Sequence, residues 1–218
     1  MKTPNILHFL LCSALLVNVS GCKSAYYGSM EKFGVEKRDI LVDRVEDGRD
    51  SQEDAKEQVT SALEQFSAVV NFDGGDLEKQ YNKLSKEYEK CLDKAKDVNK
   101  RIASIDDVAN RLFNEWKTEL KQYNNPELRK DSERQLKETK KSYSQLIDSM
   151  GQAAASMDPV LRSFGDQVLY LKHNLNSKAI AGIRGEASQI ETDVKALVKE
   201  MEKSIAEADA FISSMKSS

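Results

Sequence analysis

The sequence predicts an all-α protein, an elongated antiparallel four-helix bundle or coiled coil with long helices. Three observations predict it. Apolar residues recur at alternating steps of four and three along most of the chain, and turn-forming residues interrupt that rhythm at near-equal intervals. Charged residues make up 32% of the 218, with only 3 prolines and 10 glycines, which suits long helices better than sheets.

The first element is not part of the bundle. Lys2 precedes an apolar run from Ile6 to Val17, broken only by His8 and Ser13. Such a run is too short for a stable transmembrane helix, which needs roughly 20 apolar residues, and suits the core of a signal peptide. Val19-Ser20-Gly21-Cys22 follows and resembles the lipobox of bacterial lipoproteins. The resemblance implies a signal peptide over residues 1–21, cleavage between Gly21 and Cys22, lipidation of Cys22, and a lipidated tether over 22–35 leading into a bundle domain over 36–218. Two or three acyl chains would hold such a protein stably at a membrane. By the pattern of those lipoproteins, Lys23 after the cysteine points to the outer membrane, facing the periplasm.

Four helices are expected over 25–72, 76–123, 126–175 and 177–216. The second has the clearest seam, from Leu77, Tyr81, Leu84 and Tyr88 to Leu112, Trp116, Leu120 and Tyr123, and its 3.5-residue spacing predicts left-handed supercoiling. The third runs from Leu136 through Tyr143, Met150, Met157 and Phe164 to Leu175, and the fourth from Ile180 through Val194 and Met201 to Ile212. In the first, Leu41, Val45, Ala55, Val59, Ala62, Phe66 and Val69 are in register, but Gly48 and Gln52 take two seam positions.

Turn chemistry supports these boundaries. Asp73-Gly74-Gly75-Asp76 supplies glycines for a helix end and an aspartate cap, and Asn125-Pro126-Glu127 supplies a cap, a first-turn proline and an acidic residue. Asn174 to Ser177 closes the third helix and can cap the fourth. Two interruptions are expected: a kink or restart at Asp158-Pro159, and a break within Glu46–Ser51. Folding the hairpins at these turns places Gly48 beside Arg101 and Ile102.

Several function classes are disfavoured. From Cys22 onward the chain has 32 Lys and Arg against 36 Asp and Glu, no basic excess for nucleic acid. Nucleophile elbows, phosphate loops and dinucleotide fingerprints are absent from the sequence. Beyond the signal, His173 is the sole histidine and lacks the Glu-x-x-His partners of a di-iron bundle, so no metal and no cofactor is expected. Cys91 has no disulfide partner once Cys22 is acylated and reads as a small packed hydrophobe. Leu112, Phe113, Trp116, Leu120 and Tyr123 read as core, with a ligand pocket as the alternative.

The most unusual stretch is Arg38 to Lys56, where charge crowds out apolar residues. Arg38, Arg44, Arg49, Asp50 and Gln52 are the candidate partner surface. A buried polar layer and a solvated face on a frayed helix are the competing readings.

The lipobox, Ile40-Leu41-Val42-x-Arg44-Val45, Ala62-Leu63-Glu64-Gln65-Phe66, Phe72-Asp73-Gly74-Gly75-Asp76-Leu77, Leu112-Phe113-x-Glu115-Trp116 and Leu171-Lys172-His173-Asn174-Leu175-Asn176 resemble a family of uncharacterised proteobacterial helical lipoproteins catalogued as a domain of unknown function. That resemblance implies a helical lipoprotein of the envelope and brings no catalytic residue. The expectation is a non-enzymatic, membrane-anchored periplasmic protein acting as scaffold, spacer or adaptor through contacts with another envelope protein or itself. The alternative is a helical module binding a small ligand or peptide in envelope stress.

Overall fold

The computed structural model describes residues 37–217. Gly21, Cys22, the signal peptide and the tether therefore lie outside the described residues, as does the part of the first helix expected before Lys37. The described elements are α1 (Lys37–Val70), α2 (Leu77–Glu119), a 3-10 turn (Leu120–Gln122), α3 (Pro126–His173), α4 (Ser177–Arg184) and α5 (Ala187–Ser217), with no strand among them. Helix α1 packs on α2 and α5, and α3 packs on the same two, so the order around the bundle is α1, α2, α3, α5. Each long helix is antiparallel to its neighbours, as the short connections require. At ~1.5 Å per residue the rods are about 45–70 Å long.

The two ends of the bundle differ. At the end where α1 begins, the proximal end, the Lys37 ammonium pairs with Glu115 of α2 at 2.9 Å, and Arg38 donates to the Met215 carbonyl in the last turn of α5. The α2–α3 connection lies at this end as well. At the distal end are the 71–76 and 174–176 turns and α4, whose Arg184 donates to the Val70 carbonyl at 2.9 Å and so closes the C-terminus of α1. Residues 37–217 form a compact unit with their own core.

Capping follows the sequence closely. Asp76 accepts from the Lys79 N–H at 3.0 Å, Asn125 from Glu127 at 2.9 Å, and Asn176 from Ala179 at 3.1 Å. Each satisfies a donor that the first helical turn leaves without a partner. Gly74 and Gly75 take φ of 153° and 109°, a region that side chains with a Cβ rarely enter.

The α1 seam has no gap. Leu41, Val45, Gly48, Gln52, Ala55, Val59, Ala62, Phe66 and Val69 are all buried and keep the four-three alternation throughout. The expected break within Glu46–Ser51 does not occur. Gly48 faces side chains of both α2 and α3: a Cβ there would stand 2.7 Å from Ile105 Cδ1 and 2.9 Å from Met150 Cε, with Arg101 alongside at 3.9 Å. Further along the core, Phe66 meets Phe164 edge-on at 5.9 Å. Tyr143 packs between Phe113 (5.4 Å) and Phe211 (6.4 Å).

Three other expectations are corrected, and of the kink or restart expected at Asp158-Pro159 the restart is absent. Helix α3 runs through Pro159 without a restart; Pro159 and Ala155 both lie on the exposed side, where water can bond the carbonyl left by the missing N–H. The fourth helix is two helices, because Gly185 and Glu186 form a turn in which the Glu186 N–H reaches back only to Ile183 at 3.1 Å. Glycine weakens helix propagation at that point. Leu175 leaves the seam and is exposed in the turn after α3, and Tyr123 is exposed beyond the 3-10 turn that ends the α2 rod.

Candidate functional site: the polar stretch of α1 and the two bundle ends

The polar stretch from Arg38 to Lys56 is a regular helix with two faces. Ile40, Leu41, Val42, Val45, Gly48, Gln52 and Ala55 face inward, and the charges face outward. Gln52 is 0% exposed, so it is removed from the candidate partner surface and belongs to a buried polar layer. Its Oε1 accepts from the Ser204 hydroxyl of α5 at 2.8 Å, and its Nε2 reaches the Met150 carbonyl of α3 at 3.5 Å. Among the described residues no buried side-chain N or O lacks a partner. Burying a primary amide without partners costs several kcal/mol, and Ser204 is what offsets most of that here.

The other candidate residues are largely engaged within the bundle. Arg38 donates to the end of α5. Arg49 bridges helices: Nη1 binds Asp209 of α5 at 2.9 Å, while Nη2 binds Asp50 at 2.8 Å. These bonds, Asp50 first and Asp209 second, hold its guanidinium pKa above the ordinary arginine value. Arg44 lies 3.3 Å from Asp47, which also accepts from Arg101 of α2 at 2.9 Å. Lys94 to Asp54 and Lys216 to Glu46, both 2.6 Å, complete a lattice joining α1 to α2 and α5. Exposed pairs of this kind contribute about 0–1 kcal/mol each, so their main effect is to set which helix faces which.

Cys91 is buried and donates to the Gln58 carbonyl at 3.5 Å; burial pushes its thiol up to about 12. A thiol so placed is a packing group, not a nucleophile. Tyr143 donates to Asp106 at 2.7 Å, and burial, then that carboxylate, raise it far above the ordinary phenol range. His173 lies exposed in the last turn of α3, where its position suits the helix dipole. Among the described residues no three His, Cys, Asp or Glu are grouped to hold a metal ion, and no described helix is long and apolar enough to cross a membrane.

Sequence reasoning missed what lies at the ends. The exposed large apolar side chains among the described residues are Tyr123, Leu128, Leu169, Tyr170 and Leu175. The first two flank the α2–α3 connection at the proximal end; the other three sit in the last turn of α3 and just beyond it, at the distal end. Leu169 is 59% exposed, with Lys172, His173 and Lys178 exposed nearby. The signal was present as Val168-Leu169-Tyr170-Leu171, four consecutive apolar residues that one helical seam cannot all bury.

Long antiparallel rods, a polar core layer and, among the described residues, large apolar side chains exposed at the ends define a class: an all-α four-helix protein whose visible chemistry is packing and surface contact. Within that class the chain belongs to the family described as "Protein of unknown function (DUF2959)", which matches residues 26–215. No curated protein and no solved structure matches it.

Proposed function

We propose that this chain is a non-enzymatic, lipid-anchored spacer of the cell envelope, tethered through Cys22, that presents a protein-docking patch at its distal end. The observation that carries the reading is the exposed group Leu169, Tyr170 and Leu175. Single exposed apolar residues are ordinary, but three at one end of the bundle, with exposed Lys172 and Lys178 nearby in the chain, support a contact site there. The chain enters the bundle at Lys37 and reaches the patch after one helix length, about 50 Å at ~1.5 Å per residue. That separation suits a spacer, which must hold a partner away from the surface to which it is itself fixed.

The test is site-specific photocrosslinking in cells, with the probe at Leu169 or Leu175 and at exposed Lys199 on the side of α5 as control. The expected result is a discrete adduct from the two distal sites that disappears when Tyr170 is replaced by aspartate. Adducts indistinguishable from those at Lys199 would remove the docking role. The tether is checked separately: Cys22→Ser should move the protein from the membrane to the soluble fraction.

A further inference from the structure

We propose that the tip of the α2–α3 hairpin is a second, non-covalent membrane contact, seating on the anionic headgroups of a bilayer surface. Three placements argue for it. The first is reach. The four helices share a level at which Lys37 meets Glu115 and Arg38 meets the Met215 carbonyl. Past that level only α2 and α3 continue among the described residues, held by a Trp116 Nε1–Ser132 Oγ hydrogen bond of 2.8 Å and by buried Leu120 and Leu136. From Glu115 to Tyr123 this extension is about 12 Å at ~1.5 Å per residue.

The second is charge. Between Lys117 and Lys141 there are eight Lys and Arg against five Asp and Glu, a net of +3 in a chain of net charge −3. Arg129 pairs with Glu133 and Arg134 with Asp131, within the hairpin itself. Lys117, Lys121, Lys130, Lys137, Lys140 and Lys141 have no carboxylate partner among the described residues. Two of these cations are gathered together instead of neutralised: Lys140 lies over the Phe113 ring, 5.3 Å from its centroid, with Lys117 beside it. Burial, then the Lys117 ammonium, lower the pKa of Lys140, as expected where positive charge lacks an anion.

The third is what stands at the tip. Tyr123 and Leu128 are 42% and 57% exposed, on either side of the Asn125-Pro126 turn. Tyr123 and Leu128 at the tip, with Lys121 and Lys130 within one turn of them and Lys117 and Lys137 further back, match the order of groups across a bilayer surface, apolar ones at the acyl boundary and ammonium groups toward the phosphates. Lys37, the first described residue, lies at this same end, so a lipid anchor upstream of it is compatible with the same surface. A bare polyanion would satisfy the lysines but leave Tyr123 and Leu128 in water. The inference rests on the tethered reading for which membrane is met, and its test does not use the tether.

The chain from Lys23 onward, which lacks Cys22 and retains the whole core, is sedimented with vesicles of phosphatidylethanolamine and phosphatidylglycerol, and with vesicles of phosphatidylcholine alone. Binding is expected to the anionic vesicles only, weakening with added salt. A Lys121→Gln/Lys130→Gln/Lys137→Gln variant should bind about 100-fold less, at about fivefold per lysine. Tyr123→Ser/Leu128→Ser should weaken binding while the salt dependence persists. All five positions are exposed, and unchanged helical circular dichroism will verify folding. No binding, equal binding to both vesicles, or native-like binding by the triple lysine variant overturns the proposal. None of those results touches the Cys22 tether, which membrane fractionation of Cys22→Ser reads independently.

Discussion

Replacing Gln52 by leucine asks whether the buried polar layer supports stability or selects the fold. The substitution removes one good hydrogen bond, Ser204 Oγ–H to Oε1 at 2.8 Å, and one long contact at 3.5 Å to the Met150 carbonyl. That carbonyl keeps its own α-helical partner. Ser204 can turn its hydroxyl to the carbonyl one turn earlier in α5, as serine does in helices. The loss is then about 1 kcal/mol, against about 1.5–3 kcal/mol for burying a leucine side chain of similar reach. The net gain is about 1 kcal/mol, which for a domain of this size raises Tm by roughly 2–4 °C.

The partner substitution should go the other way. Ser204→Ala leaves Oε1 of a wholly buried amide without its donor and costs about 1–3 kcal/mol. Combining it with Gln52→Leu should recover that loss, so the two changes will be strongly non-additive. Thermal melts by far-ultraviolet circular dichroism on the four proteins of this cycle give both numbers. A lower Tm for Gln52→Leu, or simple additivity, would refute the argument, because either means that Gln52 does not sit in a dry layer facing Ser204. If the layer selects register, the stabilised variant should also show broader amide resonances, since the remaining α1 seam can slide by a heptad with less penalty.

Three further outcomes follow from single contacts. Burial raises the pKa of both the Cys91 thiol (to about 12) and the Tyr143 phenol, so the folded state favours their neutral forms. Their contribution is complete below the unfolded values of about 8.5 and 10 and is lost as pH rises through the folded ones. Urea unfolding should therefore show stability falling from about pH 9 upward, by up to about 1.4 kcal/mol per pH unit per group, and Cys91→Ala should flatten the first part of that slope. Trp116→Phe, which loses the bond to Ser132, should destabilise by about 0.5–1.5 kcal/mol in the same assay. Asn176→Ala should cost about 1 kcal/mol and speed amide exchange at Ala179, whose N–H loses its cap.

The seams of α2 and α3 were legible because burial along one side of a long packed helix admits one spacing, and apolar residues occupy nearly every position of it. The first helix misled because Gly48 and Gln52 were judged by polarity; judged by position, 41, 45, 48, 52 and 55 never leave the alternation, and the interior takes both. Ser204 was hidden by a second row. Met201, Ile205, Ala208 and Ile212 step correctly, but so do Met201, Ser204, Ala208, Phe211 and Met215, and α5 turns the latter inward at the Gln52 level. The break at Gly185 left no trace in the pattern, since Ile183 to Ala187 is a step of four whether or not the helix is continuous. Ion-pair partners such as Arg49 with Asp209 depend on which residues the antiparallel packing sets side by side, and spacing within one helix carries no such information.

The ends follow from the width of a seam. Successive helical residues are about 100° apart, so Val168 to Leu171 spans most of the helix circumference and cannot fit within one seam. Val168 and Leu171 take the core, and Leu169 and Tyr170 must face water. Measured only against the length of a membrane span, that run says nothing; measured against the width of a seam, it locates the distal patch. The same reasoning applies to the hairpin. Lys130, Arg134, Lys137 and Lys141 recur at heptad spacing as the seam does, but on the opposite face, where a bundle helix would normally alternate its signs. Arg134 is matched by Asp131, but Lys130, Lys137 and Lys141 have no carboxylate partner among the described residues, and the natural complement of such a run is an anionic surface.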